Sequence, residues 1–170
     1  MTWRTATLAD AVGLRALERE ANLAALGHVF GDLPFPDEAV LARWEATLAD
    51  PAVTVLMTEV SFTSWDDEGR LRHLAVHPDR WGAGLAREGV ELAVAAIRAS
   101  GRTPTLWVLA DNHRARGLYD HLGWESTGRE QRAEWPPYPT ELELTLKRSG
   151  LGEGRRDEAE PEDGCDVVGR

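Results

Sequence analysis

The residues best suited to chemistry stand in one short turn, where Gly82 and Gly84 are separated by a single residue. A strand predicted over residues 71–76 precedes this turn, and a predicted helix follows it. Backbone N–H groups at a helix N-terminus can bind an anion, and glycines allow that anion a close approach. The spacing therefore predicts a phosphate-binding turn within residues 77–86.

The elements that must position this turn follow from the spacing of apolar residues. Helical spacing predicts four helices, which begin near residues 7, 37, 85 and 112. β-Branched or alternating residues predict strands over residues 2–6, 53–60, 62–65, 71–76, 105–110, 124–127 and 141–147. The order is strand, two helices, three strands, helix, strand, helix and two strands. This order is typical of an α/β protein whose sheet has parallel and antiparallel parts.

One connection in this order is left open. Val60 and Phe62 leave almost no room for a hairpin turn between the second and third predicted strands. Either that hairpin is very tight, or the region is one long, bent strand. The sequence does not decide between these two structures.

Composition excludes several classes of protein. The chain of 170 residues is long enough for one core, and no apolar run approaches the roughly 20 residues that a membrane span needs. The first residues lack the pattern of a signal peptide, and the single Cys165 excludes an internal disulfide or a cysteine-built metal site. We therefore expect a cytoplasmic protein with no metal. A net charge of −10 argues against nucleic acid or a membrane surface as partner.

The charge is unevenly distributed along the chain. In residues 149–170 acidic side chains outnumber basic ones, and few apolar residues are available for burial. We predict a folded domain over residues 1–148 and an acidic, disordered tail over residues 149–170.

Two segments together resemble the GNAT N-acetyltransferase superfamily. Residues 74–86, LAVHPDRWGAGLA, are similar to that family's acyl-CoA loop, Q/R-x-x-G-x-G/A. Residues 112–124, NHRARGLYDHLGW, are similar to its N-x-x-A-x-x-x-Y-x-x-x-G-F segment. The element order matches over roughly residues 2–147. The chain departs from the pattern at Asp79 and Trp81, where the family has polar or cationic side chains.

The resemblance implies a fold and an activity. The fold would be mixed α/β, a central mixed sheet of six to seven strands flanked by about four helices. The activity would be transfer of an acetyl group from acetyl-CoA to the amine of a small molecule, by direct attack in a ternary complex. Such a transfer needs no metal and no covalent enzyme intermediate.

The resemblance also implies which residues bind acetyl-CoA. Backbone N–H groups of the turn would bind the pyrophosphate, with Arg80 or Arg87 supplying positive charge, and the edge of the strand over 71–76 would pair with the amide-bearing arm. Asn112 would bind that arm, although it is equally suited to capping its own helix. The predicted cofactor-binding residues are Leu74, Ala75, Val76, Trp81, Gly82, Ala83, Gly84, Leu85, Ala86, Arg87 and Asn112.

Two side chains are candidates for proton transfer. Tyr119, which matches the family's tyrosine, would give a proton to the departing thiolate, because a phenol is protonated at neutral pH. The alternative is that Tyr119 is a packed aromatic residue of a short helix. His73 is the candidate base for the incoming amine, with a structural histidine or a chain of water molecules as the alternatives.

Two loops are candidates for the acceptor pocket. Residues 30–35 and 135–138 are aromatic and stiffened by prolines, which suits a small molecule with an apolar part. The alternative is that these loops close the ends of the core.

Other functions also remain open. The first alternative is a catalytically silent acyl-CoA-binding module used for sensing. A nucleotide-phosphate domain of another class is disfavoured, because no Lys-Ser/Thr pair follows the glycines. A homodimer formed through the C-terminal strand is also open.

Overall fold

The computed structural model describes residues 2–147, which fold around one sheet. The seven strands of these residues lie in the order β1-β2-β3-β4-β5-β7-β6. They are β1 (Arg4–Thr5), β2 (Val53–Met57), β3 (Ser61–Asp66), β4 (Arg70–Val76), β5 (Thr105–Leu109), β6 (Glu125–Arg132) and β7 (Thr140–Thr145). The predicted tail over residues 149–170 lies outside the described residues.

Five α-helices accompany the sheet in residues 2–147. They are α1 (Ala11–Ala25), α2 (Gly27–Phe30), α3 (Asp37–Ala49), α4 (Leu85–Ala99) and α5 (His113–His121). Four of them are the predicted helices, and α2 is a single turn where the sequence suggested only a helix end and a loop. The predicted mixed α/β class is confirmed. None of these helices is long and apolar enough to cross a lipid bilayer.

The connection near residue 60 is a tight hairpin. Met57 pairs with Phe62 across strands β2 and β3. The backbone N–H of Thr58 donates to the Ser61 carbonyl at 2.8 Å, and the two hydroxyls of Thr58 and Ser61 lie 2.7 Å apart. Because these side chains satisfy each other, a short turn is enough to reverse the chain.

Helices cover both faces of the sheet. Helices α1 and α3 pack one apolar cluster against β2 and β3, which includes Leu14, Val40, Trp44, Val55 and Phe62. Helices α4 and α5 pack a second cluster on the other face, which includes Leu71, Val90, Leu106, Tyr119 and Trp124. Each cluster uses the apolar stripe of its helices, as the sequence spacing predicts.

A β-bulge in β4 changes which side chains reach which face. Ser64 pairs with His73, but the next residue, Trp65, pairs with Leu71, so Arg72 is an extra residue in the strand. Leu71 therefore packs in the cluster beneath α4, whereas His73 lies against Trp44 on the opposite face, with ring centroids 4.9 Å apart.

Candidate functional site

The site begins where β4 and β5 separate. These strands form the sheet's parallel pair, and they are paired only at Arg70 with Thr105 and at Leu71 with Leu106. Residues 74–76 of β4 therefore have no neighbouring strand on that side. The separation opens a cavity of about 490 Å³ between β4, the turn after it, α5 and the end of α1.

The turn after β4 has the conformation that its glycines predict. Gly82 and Gly84 have φ of 83° and 82°, in the left-handed region that favours glycine. Gly84 is the N-cap of α4, and the first helical bond runs from the N–H of Glu88 to the Gly84 carbonyl. The N–H groups of the first turn of α4 are consequently free to bind an anion.

The predicted cofactor residues come together in this cavity. Ten of the eleven line it, and Ala83 does not: the ten are Leu74, Ala75, Val76, Trp81, Gly82, Gly84, Leu85, Ala86, Arg87 and Asn112. Asn112 also caps α5, since its side-chain oxygen accepts a hydrogen bond from the Ala115 N–H at 3.1 Å. The capping interpretation of Asn112 is thus confirmed, and it is compatible with a place in the cavity wall.

Trp81 closes one corner of the cavity. Its indole N–H donates to the Val76 carbonyl at 2.8 Å, which ties the turn to the end of β4. The guanidinium carbon of Arg114 lies over the indole ring, 3.9 Å from its centroid. Arg114 is in the first turn of α5 and lines the same cavity. This pair therefore links the turn to α5 across the cavity mouth.

Tyr119 lies behind the cavity wall. Its side chain is buried, packed edge to face against Trp124 with ring centroids 5.7 Å apart. Leu118 and Ala115, which precede it on α5, line the cavity, but Tyr119 is not among the lining residues. Burial raises the pKa of Tyr119, which keeps the phenol protonated. The role of general acid stays a prediction.

His73 is on the opposite face of the sheet from Tyr119. Its Nδ1 is 3.0 Å from the Ser64 hydroxyl, and it lines neither cavity described for residues 2–147. Burial lowers the pKa of His73 well below its ordinary value, and the positive charges of Arg43 and Arg72 lower it further. The imidazole is therefore neutral at neutral pH, and its role as a base stays a prediction.

A second cavity adjoins the first. It measures about 290 Å³ and is lined by both predicted aromatic loops, including Phe30, Phe35, Trp135 and Pro136. Both loops thus line one cavity, and its role as the acceptor pocket stays a prediction. Asn22 and Leu26, at the end of α1, line both cavities. The two cavities therefore meet at that end of α1.

Two polar residues of this region were not singled out from the sequence. Glu18 lines the second cavity, where its Oε2 accepts hydrogen bonds from Arg43 and, at 2.7 Å, from the Trp44 indole. Asn22 stands one helical turn later. Glu18 and Asn22 lie on the same face of α1 as the buried Leu14, four and eight residues further along the helix. Polar residues on this otherwise apolar face were the sequence signal that could have identified them.

Within residues 2–147, no cluster of three or more histidine, cysteine, aspartate or glutamate side chains is arranged to hold a metal ion. Cys165 lies outside the described residues.

Several solved structures share this fold. A GCN5-related N-acetyltransferase from Rhodopseudomonas palustris has a TM-score of 0.70 and 17% identity, covering 85% of this chain and 93% of that one. YncA from Salmonella typhimurium, solved with its cofactor acetyl-CoA, has a TM-score of 0.62 and 20% identity, covering 93% of this chain and 98% of that one. The PaiA N-acetyltransferase from Thermoplasma acidophilum, solved with coenzyme A, has a TM-score of 0.62 and 12% identity, covering 86% of this chain and 100% of that one.

The chain thus has the fold of the GNAT N-acetyltransferase superfamily, and the resemblance seen in its sequence is confirmed. More particularly, the family model described as FR47-like protein matches residues 57–135, from the end of β2 to the second aromatic loop. No curated protein matches the sequence.

The buried His73 should make stability depend on pH. Its pKa is lower in the folded chain than the ordinary value of about 6.5 in the unfolded chain. The unfolded chain therefore binds the proton first, and stability is complete above about pH 6.5 and falls below it, by up to about 1.4 kcal/mol per pH unit. In His73→Gln the free energy of unfolding, measured with urea, should fall less between about pH 7 and 5.5.

The matched control is His121→Gln, which changes an exposed histidine on α5. It should keep the pH dependence of the unsubstituted protein. An unchanged slope in His73→Gln would show that His73 is not the group responsible.

Proposed function

We propose that this protein is an acetyl-CoA-dependent N-acetyltransferase that acts on a small amine with an apolar body. The observation that carries the proposal is the cavity between β4 and β5, which combines an anion-binding turn with a free strand edge. Two proteins of the same fold, YncA and PaiA, contain acetyl-CoA or coenzyme A in their structures.

The residues of the cavity fit an acyl-CoA. At Gly82 and Gly84 an added Cβ would meet no atom within 4 Å, so there is open space beside the free N–H groups of α4. Residues 74–76 offer backbone groups that no strand pairs on the side of β5. The pyrophosphate suits the turn, and the two amides of the pantetheine arm suit the strand edge.

The bound donor would supply an acetyl thioester, whose C–S bond breaks as the neutral amine nitrogen forms an amide. Water takes the protons that the nitrogen loses, and the sulfur leaves as a thiol. The chain's task is to orient the arm along residues 74–76 and to supply a proton to the sulfur. We assign that proton to Tyr119, because its phenol is protonated at neutral pH and its helix lines the cavity through Ala115 and Leu118.

The acceptor would occupy the cavity between the aromatic loops. Among the described residues, Glu18 is the only acidic side chain that lines either cavity. Arg43 and Trp44 both bind its Oε2, so Oε1 keeps its capacity to accept a hydrogen bond. An amine with an ammonium group for Glu18 and an apolar body for Phe30, Phe35 and Trp135 matches this lining.

A catalytically silent acyl-CoA-binding module is the second candidate. The observation in its favour is that neither predicted proton-transfer group lines a cavity: Tyr119 lies in the core beneath α5, and His73 is packed against Trp44. If the protein is instead an acetyltransferase, water has to serve as the base for the incoming amine.

Three further statements about the protein's surroundings stay predictions from composition and sequence. They are a cytoplasmic location, the absence of a nucleic-acid partner, and a homodimer.

Cofactor binding can be tested with two glycines at opposite ends of α4. Gly84→Val would push a side chain into the cavity and weaken acetyl-CoA binding. The Kd measured by calorimetry should rise by at least about tenfold. Gly101→Val is the matched control, because Gly101 has φ of 80°, has open space around it and does not line the cavity. It carries the same backbone strain and should bind normally. Full binding by Gly84→Val would move the site elsewhere.

Catalysis can be tested by release of free thiol from acetyl-CoA against a panel of small amines. For an amine that reacts, Tyr119→Phe should lower kcat by about 100-fold, the size typical of general acid catalysis, with little change in the Kd of acetyl-CoA. An unchanged kcat would remove Tyr119 from the mechanism. Binding of acetyl-CoA without thiol release from any amine would favour the silent module.

The acceptor site is tested by Glu18→Gln. Loss of the carboxylate charge should raise KM for a cationic amine by about tenfold while kcat changes little, because only binding of the ammonium group is weakened. Glu20→Gln, at an exposed position of the same helix, is the control and should behave as the unsubstituted protein. Equal effects of the two substitutions would exclude a specific role for Glu18.

A further inference from the structure

We propose that Arg114 binds a phosphate group of the nucleotide part of acyl-CoA and that Trp81 holds it in position to do so. The inference rests on the proposed function, because it requires acyl-CoA in the cavity between β4 and β5. It concerns a side chain outside the glycine turn, on α5, which follows α4 and β5 in the chain.

The need for such a side chain follows from the turn itself. Asp79 and Trp81 occupy positions where the resembled family has polar or cationic residues, and neither brings positive charge. The carboxylate of Asp79 is largely exposed. The N-terminus of α4 provides only about half an elementary charge, whereas a nucleotide pyrophosphate brings two full negative charges or more. A fixed cation beside the turn would complete the site.

Arg114 is held where such a cation is needed. Trp81 is the residue immediately before Gly82, and its indole is fixed by the 2.8 Å hydrogen bond to the Val76 carbonyl. The guanidinium of Arg114 lies over this ring at 3.9 Å, within the range of a cation–π interaction. Within residues 2–147 the guanidinium of Arg114 makes no side-chain hydrogen bond or ion pair, so its N–H donors remain for a phosphate.

The other cations of the cavity are less suited to this task. Three arginines line it: Arg80, Arg87 and Arg114. Arg87 is paired with Glu91 at 3.1 Å, one turn along α4. Arg80 and Arg114 are both exposed, but none of the contacts within residues 2–147 fixes the guanidinium of Arg80. Arg114 combines a fixed position with the absence of an acidic partner among the described residues.

The test separates the nucleotide from the acyl arm. Acetyl-CoA and S-acetylpantetheine share the thioester and the amides, but only acetyl-CoA has the nucleotide and the pyrophosphate. Arg114→Gln should raise the Kd of acetyl-CoA about tenfold, the size of one charge-assisted contact, and leave the Kd of S-acetylpantetheine within about twofold. Both constants are measured by calorimetry.

Two further variants define the mechanism. Arg116→Gln makes the same change of charge on the same helix, outside the cavity, and should leave both constants unchanged. Trp81→Phe keeps a ring but loses the bond to Val76, so it should weaken acetyl-CoA binding less than Arg114→Gln does.

The failures are distinguishable. If the unsubstituted protein does not bind acetyl-CoA, the proposed function fails. If it binds and Arg114→Gln binds equally well, or if that variant weakens both ligands to the same degree, only the role of Arg114 is overturned.

Discussion

Strands β4 and β5 are parallel neighbours that share only two paired positions before they diverge. Everything in the site depends on this divergence. Because the two strands run in the same direction, both of their carboxyl ends open at the same edge of the sheet. The glycine turn and α4 follow the first strand there, and Asn112 and α5 follow the second. The strands thus expose an unpaired edge between two helix N-termini, which brings backbone donors and acceptors together with an anion-binding turn.

The two adjoining cavities have different chemistry. Among residues 2–147, three arginines and no acidic residue line the cavity at the divergence, whereas the cavity between the aromatic loops is mostly apolar, with Glu18 as its single acid. They meet at Asn22 and Leu26, at the end of α1. An anionic ligand and a cationic, apolar one are therefore favoured on opposite sides of that junction. This division of charge is what the proposed function requires, with an anionic donor on one side and a cationic acceptor on the other.

The fold places the two predicted proton-transfer groups, His73 and Tyr119, outside the lining of both cavities. The bulge at Arg72 turns His73 towards Trp44, where desolvation favours the neutral imidazole. Tyr119 is likewise buried among apolar side chains, and its phenol stays protonated. Neither side chain lines a cavity, but the helix that carries Tyr119 does so through Ala115 and Leu118. His73 lies on the opposite face of the sheet, packed against Trp44, so Tyr119 is the nearer of the two to the proposed chemistry along its own element.

The sequence by itself determined the order of the elements, the conformation of Gly82 and Gly84 and the cap at Asn112, because each depends on interactions between residues close in the chain. It also indicated the strand edge at residues 74–76 and the two aromatic loops. Only the tertiary structure decided where His73 points, since one extra residue in a strand reverses the faces that follow it. Only the tertiary structure brought Arg114 over Trp81 and Glu18 into the second cavity. Contacts between distant segments depend on how the helices pack on the sheet, and the spacing of residues within one segment does not specify that packing.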